Sequence, residues 1–280
     1  MQPQARATLI GAGAIGLWAT LALLTAASGA APPFEMAGLT FLIGGAVGLG
    51  YAAARRRLAR LWQPWPVWAV GVGCLFGYHA LYFAALRAAP PAQASLVAYL
   101  WPLLIVLMSA FLPGERLRGR HVAGAALGFA GAALLIGGAG AGAPPGLGLL
   151  LALGCAFIWS GYSLASRLLR EAPTEAVAGF CLATSTLAWV CHFAFETTVW
   201  PTRTSEIAAI AALGVGPVGL AFYLWDYGVK HGDIRLLGVG AYAAPALSTI
   251  LLVGAGYAPA TAALGLACAA IVCGAVIASV

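Results

Sequence analysis

The sequence predicts an all-α integral membrane protein of ten transmembrane helices, arranged as two inverted five-helix repeats around a central cavity. Of its 280 residues, 62% are hydrophobic and 8% are charged, whereas soluble domains carry about 25% charged residues. Apolar segments of about 20 residues, the length that spans a bilayer, follow one another along the whole chain. A motif of the form Ala-Tyr-x-x-Pro-x-Leu occurs twice, at 98–104 and at 241–247.

The first five segments end at proline pairs, glycines or charges, which are the usual boundaries of apolar helices. The first is long enough to span a bilayer, so we expect an uncleaved helix rather than a signal peptide. A Pro-Pro pair precedes the second segment, an arginine run follows it, and a Pro/Ala turn separates the third from the fourth. The segments are 7–27, 34–54, 66–87, 92–112 and 119–139.

The second five segments begin after the linker "GAGAPPG" at 140–146. Their connections are only a few residues long, which leaves no room for a soluble domain. The two halves, 1–140 and 141–280, therefore contain five spans each. These spans are 146–169, 175–196, 205–229, 233–254 and 258–279.

The distribution of positive charge predicts that both termini are cytoplasmic. With the N-terminus inside, 12 of the 14 Lys and Arg residues fall in cytoplasmic segments, and only Arg87 and Arg203 fall outside. Positive residues in short loops resist translocation and stay in the cytoplasm. The net charge of +6 therefore reflects membrane topology, and no basic face for nucleic acid is predicted.

The two halves align with each other. A shift of 143 residues places "YHALYFAALR" (78–87) on "AFYLWDYGVK" (221–230), and a slightly different shift matches Trp18 to Trp159. Because five is odd, the second half must cross the membrane in the opposite sense to the first. Inverted repeats of this kind are typical of transporters, with a site at mid-membrane where the halves meet.

Pro102 and Pro245 are predicted kink and gating residues. Neither can donate a backbone hydrogen bond, so the carbonyls of Ala98 and Ala241 lose their helical partners, which is costly in lipid. One interpretation is a bend that shapes a cavity and flexes during gating; the other is a static kink used for packing. The recurrence of the pair favours the first.

Aromatic and polar side chains in the middle of the spans are the candidate substrate-binding residues. Tyr78 and Tyr82 share one face of the third span. Tyr99 and Trp101 are about 200° apart on an ideal helix, so both can face one cavity only if the helix unwinds near Pro102. Trp18 can equally pack against a neighbouring helix. The candidates are Tyr78, His79, Tyr82, Tyr99, Trp101, Trp159, Ser163 and Trp225.

His79 and Asp226 are candidate coupling residues, since ionisable groups inside a membrane are usually functional. His79 can instead be a neutral imidazole bonded to a neighbouring helix. Asp226 can pair with His79, contact a substrate amine, carry a proton, or lie close enough to the cytoplasmic edge to reach water. We predict neither a catalytic residue, a metal site nor a cofactor, because the sequence shows no nucleophile-base pair, metal-ligand spacing or phosphate-binding loop.

The run "ALYFAALRAAPPAQASLVAYLWPLLIVLMSAFLPGERL" (80–117) resembles the drug/metabolite transporter superfamily, in the branch with paired EamA-type domains. The third-span "LYFAAL", the Pro/Ala turn, the fourth-span proline and the closing "GERL" follow in the family order. The resemblance implies alternating access and a substrate face drawn from the third, fourth, sixth and eighth spans. The second half has Ala244 where the first has Trp101, so the aromatic surface is expected to be lopsided.

The resemblance implies a multi-pass secondary transporter of the bacterial inner membrane that exports aromatic amino acids and similar small molecules. Its expected partners are that substrate and the lipid bilayer, without nucleic acid or an obligate protein partner. Three alternatives remain open: export of other amino acids, cationic drugs or neutral metabolites; an intramembrane enzyme; and a non-transporting receptor or scaffold.

Overall fold

The computed structural model describes residues 2–88, 97–112, 114, 116–137, 146–256 and 260–279. Within these ranges the regular elements are all helical. The predicted start of the fourth span, the predicted boundary between the halves and the predicted start of the last span lie outside the described residues.

Each of the ten predicted segments contains a helix, and some contain two. The first half comprises α1 (Pro3–Ala19), α2 (Leu21–Ala27), α3 (Pro33–Ala54), α4 (Trp65–Ala88), α5 (Trp101–Met108) and α6 (Gly119–Gly137). The second half comprises α7 (Gly146–Leu168), α8 (Ala176–Phe195), α9 (Thr204–Val215), α10 (Ala221–His231), α11 (Ile234–Gly240), α12 (Ala243–Gly254) and α13 (Ala262–Ser279). A 3₁₀ turn at Leu58–Leu61 follows α3, and a single π-helical turn at Gly216–Leu220 joins α9 to α10.

Length and apolar composition mark five described segments as candidate membrane spans. They are Pro3–Thr25, Pro33–Ala54, Leu147–Leu168, Ala176–Phe195 and Thr204–His231. Shorter apolar helices occupy Trp101–Phe111, Ile234–Ser248 and Gly265–Ala278. Trp101–Phe111 and Ile234–Ser248 contain the prolines predicted to interrupt their spans. Gly265–Ala278 belongs to the last predicted span, whose start lies outside the described residues.

The halves are interleaved rather than side by side. The most extensive helix pairs are α6 with α13, α3 with α8, α4 with α7 and α1 with α10, and each pair joins the first half to the second. If the halves are exchanged, α3·α8 and α6·α13 map onto themselves and α4·α7 maps onto the pair of α1 with the eighth span. This is the contact pattern that a two-fold relation between the halves produces.

Glycines allow several of these helices to approach closely. A Cβ at Gly11 would lie 2.8 Å from the Cα of Gly228, where α1 crosses α10, and one at Gly44 would lie 2.7 Å from the Cα of Gly219. Real Cβ atoms do not tolerate such distances. Close backbone contact of this kind replaces the hydrophobic effect as the source of helix association in lipid.

Both Tyr-x-x-Pro motifs lie where a helix is interrupted. Tyr99 and Leu100 form a turn before α5, and Ala241 and Tyr242 form a turn between α11 and α12. Pro102 therefore stands in the first turn of α5, where a missing N–H costs nothing. The Ala241 carbonyl, which cannot bond to Pro245, accepts a hydrogen bond from the Ala244 N–H at 3.0 Å instead.

Candidate functional site

Four tryptophans meet where the halves pack together. Trp18 of α1 lies at the centre, with ring centroids 5.1 Å from Trp225, 5.5 Å from Trp159 and 6.2 Å from Trp101. Trp101 contacts Trp159 at 6.1 Å and Trp225 at 5.7 Å, edge to face. Such edge-to-face geometry is favourable for indole rings. We call Trp18, Trp101, Trp159 and Trp225 the indole cluster.

Hydrogen bonds from neighbouring elements fix three members of the indole cluster. The Trp18 Nε1–H donates to the Pro217 carbonyl of the π-helical turn at 3.0 Å. The Trp225 Nε1–H donates to the Ser163 hydroxyl at 3.0 Å. The Ser160 hydroxyl of α7 donates to the Trp101 carbonyl at 2.9 Å, which ties the start of α5 to the other half.

Trp159 is different, because its Nε1 is buried and makes no hydrogen bond. A buried donor without a partner is unfavourable by about 1–3 kcal/mol. Trp159 also contacts Tyr78 at 5.6 Å and Tyr162 at 5.4 Å, so its ring stands between the indole cluster and the tyrosines of α4. The unpaired N–H is a ready donor for a ligand acceptor at the centre of the molecule.

Tyr78, His79 and Tyr82 form a second aromatic group on α4, beside the indole cluster. Tyr78 and Tyr82 are stacked at 5.8 Å, and Tyr78 meets His79 at 5.2 Å. His79 Nδ1 bonds to the Leu75 carbonyl at 2.7 Å. Because a carbonyl only accepts, this nitrogen carries the proton.

Tyr99 completes this group from the turn before α5. It is half-buried and close enough to Tyr78 and Tyr82 to interact with them electrostatically. Because the turn precedes the helix, Tyr99 and Trp101 are not held 200° apart, and both reach the same region.

The predicted central cavity is occupied by the indole cluster in this conformation. Trp225 and Ser163 are fully buried, and Trp101 and Trp159 are 6% and 4% exposed. By contrast Tyr78, His79, Tyr82 and Tyr99 are half-buried. Exposure therefore increases towards the end of the molecule where α4 ends and α5 begins.

Three contributors were not among the predicted site residues. Trp18 was left open as a packing residue, and Phe41 and Phe222 were not considered. Phe41 stacks on Phe222 at 5.5 Å and meets His79 edge to face at 4.9 Å. Trp18 could have been found from its match to Trp159, and Phe222 from its match to His79.

Polar bonds close the opposite end of the molecule. The Arg167 guanidinium donates to the carbonyls of Val229, Lys230 and Gly232, and the Arg235 guanidinium donates to the Arg116 carbonyl at 2.6 Å. The Asp233 N–H donates to the Thr8 hydroxyl at 2.9 Å. The last two bonds join the halves. We call this the arginine-rich end.

Asp226 belongs to the arginine-rich end and not to the indole cluster and the neighbouring tyrosine group, which together we call the aromatic site. Its Oδ2 accepts from Lys230 Nζ at 2.8 Å and from the Thr174 hydroxyl at 2.7 Å, and Lys230 also donates to the Ala172 carbonyl. Both side chains are buried. The partner of Asp226 is thus Lys230 on the next turn, rather than the His79 that the sequence allowed. A cavity of about 10 Å³, the size of one water molecule, lies beside the pair.

A second group of ion pairs, separate from Asp226 and Lys230, lies where the loop after α3 meets the start of α8. Arg57 and Arg60 contact Glu175 at 2.9 and 3.2 Å. Partial burial of Glu175 opposes its ionisation, but hydrogen bonds from its own backbone and from Arg57 outweigh this and lower the pKa of its carboxyl.

Comparisons with known proteins identify relatives over nearly the whole length. The model of the EamA-like transporter family matches residues 6–137 and again residues 146–280. The chain is 60% identical over 278 residues to the aromatic amino acid exporter YddG of Ancylobacter novellus, covering 98% of this chain and 96% of that protein. It is 28% identical over 270 residues to the exporter of the same name from Salmonella typhimurium, covering 88% and 87%. A crystal structure at 60% identity superimposes with a TM-score of 0.95 over 99% of this chain and 98% of the other.

Proposed function

Because the chain belongs to the EamA-like transporter family, we propose that it exports aromatic amino acids and related aromatic compounds across the bacterial inner membrane by alternating access. It is a membrane transporter, not an enzyme. The substrate class is supported by the relatives named aromatic amino acid exporters, which include one that is 60% identical.

The single observation that carries the substrate class is the aromatic site with the unpaired Trp159 Nε1–H. An indole, phenol or phenyl ring of a substrate can contact the rings of this site in stacked or edge-to-face geometry, and each such pair contributes about 0.5–1.5 kcal/mol. The amino-acid carboxylate can accept a hydrogen bond from the Trp159 N–H, removing an orphaned donor. A substrate without a ring lacks the ring contacts, and a substrate without an acceptor lacks the hydrogen bond from Trp159.

The roles of the site residues follow from their contacts and exposure. We propose that Tyr78, His79, Tyr82 and Tyr99, which are half-buried, meet the substrate first. Trp101 and Trp159 receive its ring. Trp225 forms the wall behind it, and Ser163 positions Trp225 through the bond to its Nε1.

The two halves, 1–140 and 141–280, act in this proposal as inverted repeats with both termini in the cytoplasm. The arginine-rich end then faces the cytoplasm, in agreement with the retention of positive charge on that side. The conformation described above is closed there and more accessible at the outer end. Export requires the reverse conformation, in which the polar bonds of the arginine-rich end break.

Pro102 and Pro245 are the proposed gating positions. Each stands beside a turn that already interrupts a helix, so the segments on either side can reorient without breaking further helical bonds. The two turns belong to matching positions of the halves, and the same local change in each would exchange the open and closed ends.

Flux of labelled tryptophan in proteoliposomes of the purified protein tests this function. We expect saturable efflux that unlabelled phenylalanine and tyrosine inhibit, and weaker inhibition by alanine and by a flat aromatic cation. Stronger inhibition by the cation than by tryptophan would favour a drug exporter. Absence of flux in vesicles that contain folded protein would favour a receptor or scaffold.

Proton coupling is a separate proposal, with His79 and Asp226 as the candidate residues. Protonation of Asp226 would remove its ion pair with Lys230 and so weaken the closed arginine-rich end. We expect Asp226→Asn or His79→Ala to abolish accumulation driven by a pH gradient while exchange continues. Unchanged gradient dependence in both variants would contradict coupling at these residues.

A further inference from the structure

An apolar groove of about 530 Å³ opens on the side of the helix bundle, between α3, α4 and α8. Its walls include Leu49, Trp68, Leu182 and Ala183, and the 3₁₀ turn after α3 covers its mouth with Leu58 and Trp62. The volume lies in the range of small-molecule sites, about 300–1,000 Å³. The groove lies outside the aromatic site, so transport of the substrate does not account for it.

The groove follows part of α8. Its lining on that helix extends from Gly179 to Thr186. Seven residues of α-helix rise about 10 Å, about a third of the roughly 30 Å hydrocarbon thickness, which fits within one leaflet of a bilayer. Trp62, which lines the groove, and Trp65 at the start of α4 are 84% and 79% exposed, and exposed tryptophans mark the level of the lipid headgroups.

Positive charge surrounds the mouth. Arg57 and Arg60 share the single carboxylate of Glu175, so this group keeps a net positive charge. The Arg55 guanidinium lies over the Tyr51 ring, 5.7 Å from its centroid, on the last turns of the helix that contributes Leu49. The arginines from 55 to 60 lie in the chain between Leu49 and Leu61, which line the groove, so a phosphate at headgroup level would find positive charge nearby.

Arg56 adds independent support. Its φ is +54°, in the left-handed region that usually takes glycine after the end of a helix. A non-glycine residue in this conformation is unfavourable by about 1 kcal/mol. The side chain that occupies this strained position is an exposed cation, although glycine would fold more easily there.

We propose that the groove binds one acyl chain of an anionic phospholipid, with its phosphate held by Arg55 and Arg56. The lipid would contact α3 and α4 of the first half and α8 of the second. It would therefore reinforce the joint between the halves at the arginine-rich end.

Native mass spectrometry of the full chain in detergent tests the site with phosphatidylglycerol and phosphatidylcholine of identical acyl chains. We expect phosphatidylglycerol to bind roughly 25-fold more tightly, since Arg55 and Arg56 near the headgroup each contribute about fivefold. Arg55→Gln/Arg56→Gln should remove this preference. Arg170→Gln is the matched control, because Arg170 is exposed and pairs with Glu171 away from the groove.

A second variant tests the apolar part. Ala183→Phe should fill the groove and weaken phosphatidylglycerol binding several-fold, whereas Ala208→Phe on the exposed face of α9 should not. Glycerol phosphate, which has no acyl chain, should fail to displace the lipid. Equal binding of the two lipids to the wild type, a preference that survives Arg55→Gln/Arg56→Gln, or displacement by glycerol phosphate would overturn the proposal.

Thermal unfolding provides a readout that does not depend on counting bound lipids. A ligand that binds only the folded state raises the midpoint of unfolding. Phosphatidylglycerol should raise it for the wild type and for Arg170→Gln, and much less for Arg55→Gln/Arg56→Gln. An equal rise in all three proteins would contradict the site.

Discussion

Trp18 and Trp159 occupy matching positions in the two sequence halves, yet their indole N–H groups have different surroundings. The Trp18 N–H donates to the Pro217 carbonyl, whereas the Trp159 N–H is buried without a partner. Tyr99 and Tyr242 also match, but Tyr99 is half-buried beside the site and Tyr242 is fully buried in a separate apolar cluster with Val106 and Ile271. Matching positions of the two halves thus differ in their hydrogen bonds and in their burial.

The comparison teaches that the first half supplies most of the accessible groups and the second half most of the support. Tyr82 is half-buried, while its counterpart Trp225 is fully buried and bonded to Ser163. Trp101 has Ala244 as its counterpart, so the ring that could have stood there is missing. Trp159 is the exception in the second half, because its Nε1–H lies within the indole cluster without a partner.

The largest expected effect concerns a difference in charge between the halves. Asp226 and Lys230 match Phe83 and Arg87, so only the second half has the carboxylate. Asp226→Asn would leave the Lys230 ammonium buried without its counter-ion, which destabilises by about 3–5 kcal/mol. Thermal or denaturant unfolding of the purified protein should show this loss.

The double variant Asp226→Asn/Lys230→Met should recover most of the lost stability, because no uncompensated charge remains. Glu171→Gln is the control, since Glu171 is exposed at the same end. If Asp226→Asn were as stable as the control, the ion pair of Asp226 with Lys230 would not stabilise the closed arginine-rich end.

The second prediction separates Trp159 from Trp18. Trp159→Phe keeps a ring but deletes the unpaired N–H, so the affinity for tryptophan should fall by about tenfold or more, the value of a hydrogen bond to a charged group. Stability should change little. Trp18→Phe should lower the stability and change the affinity for tryptophan little, because it leaves the Pro217 carbonyl without its donor. Tryptophan flux as a function of concentration, together with unfolding midpoints, measures both.

Trp200→Phe is the matched control for these two variants, because Trp200 is 61% exposed and lies away from the centre. Equal losses of affinity in Trp18→Phe and Trp159→Phe would mean that the halves contribute equally to binding, and the comparison above would be wrong.

Hydrophobic pattern and repeats were enough to predict the ten helical segments, since each is long, apolar and bounded by proline, glycine or charge. They also drew attention to Tyr82, which shares a helix face with Tyr78, and to Trp225 at its repeat position, and both lie among the aromatic contacts at the centre. What they could not predict was which helices meet. The stack of Phe41 on Phe222 and the bond from Trp18 to Pro217 join residues almost 200 positions apart.

The polar closure of the arginine-rich end was beyond sequence reasoning for a related reason. Charge counting placed Arg167, Lys230 and Arg235 on one side of the membrane, but their acceptors are mostly backbone carbonyls at helix ends. Side-chain type gives no signal for such acceptors. Asp226 was recognised as unusual, but Lys230, its partner one turn away, was not among the alternatives considered for it.

The third prediction compares Tyr99 with Tyr242. Tyr99→Phe removes the hydroxyl of a half-buried side chain in the aromatic site, so the affinity for tryptophan should fall by about five- to tenfold, as expected for one neutral hydrogen bond of about 1 kcal/mol. Tyr242→Phe should leave affinity unchanged, because its ring packs against Gly128 between α6 and α12. Competition assays in proteoliposomes measure both, and a larger effect at Tyr242 would reverse the assignment of the accessible half.

The smallest expected effect is a loss of stability in Glu175→Gln, and it comes from a comparison of the two ends of the α3·α8 pair. At one end the buried Glu196 carboxylate accepts from the Phe34 and Glu35 N–H groups and contacts His192 at 3.0 Å. At the other end Glu175 meets Arg57 and Arg60, whose side chains are 44% and 51% exposed. Glu175→Gln should cost only about 0.2–1 kcal/mol, and less at high salt, because exposed ion pairs are screened.

The pH dependence of the Glu175 contribution follows from the lowered pKa of its carboxyl. A carboxyl whose pKa is lower in the folded state stabilises the fold above its ordinary value of 4.5 and loses this contribution as the pH falls through the lower, folded value. The difference in unfolding midpoint between wild type and Glu175→Gln should therefore be present at pH 7 and shrink under acid. A difference that persisted at high salt and low pH would mean that Glu175 does not act through its ion pairs with Arg57 and Arg60, and the contrast between the two ends of the pair would then be wrong.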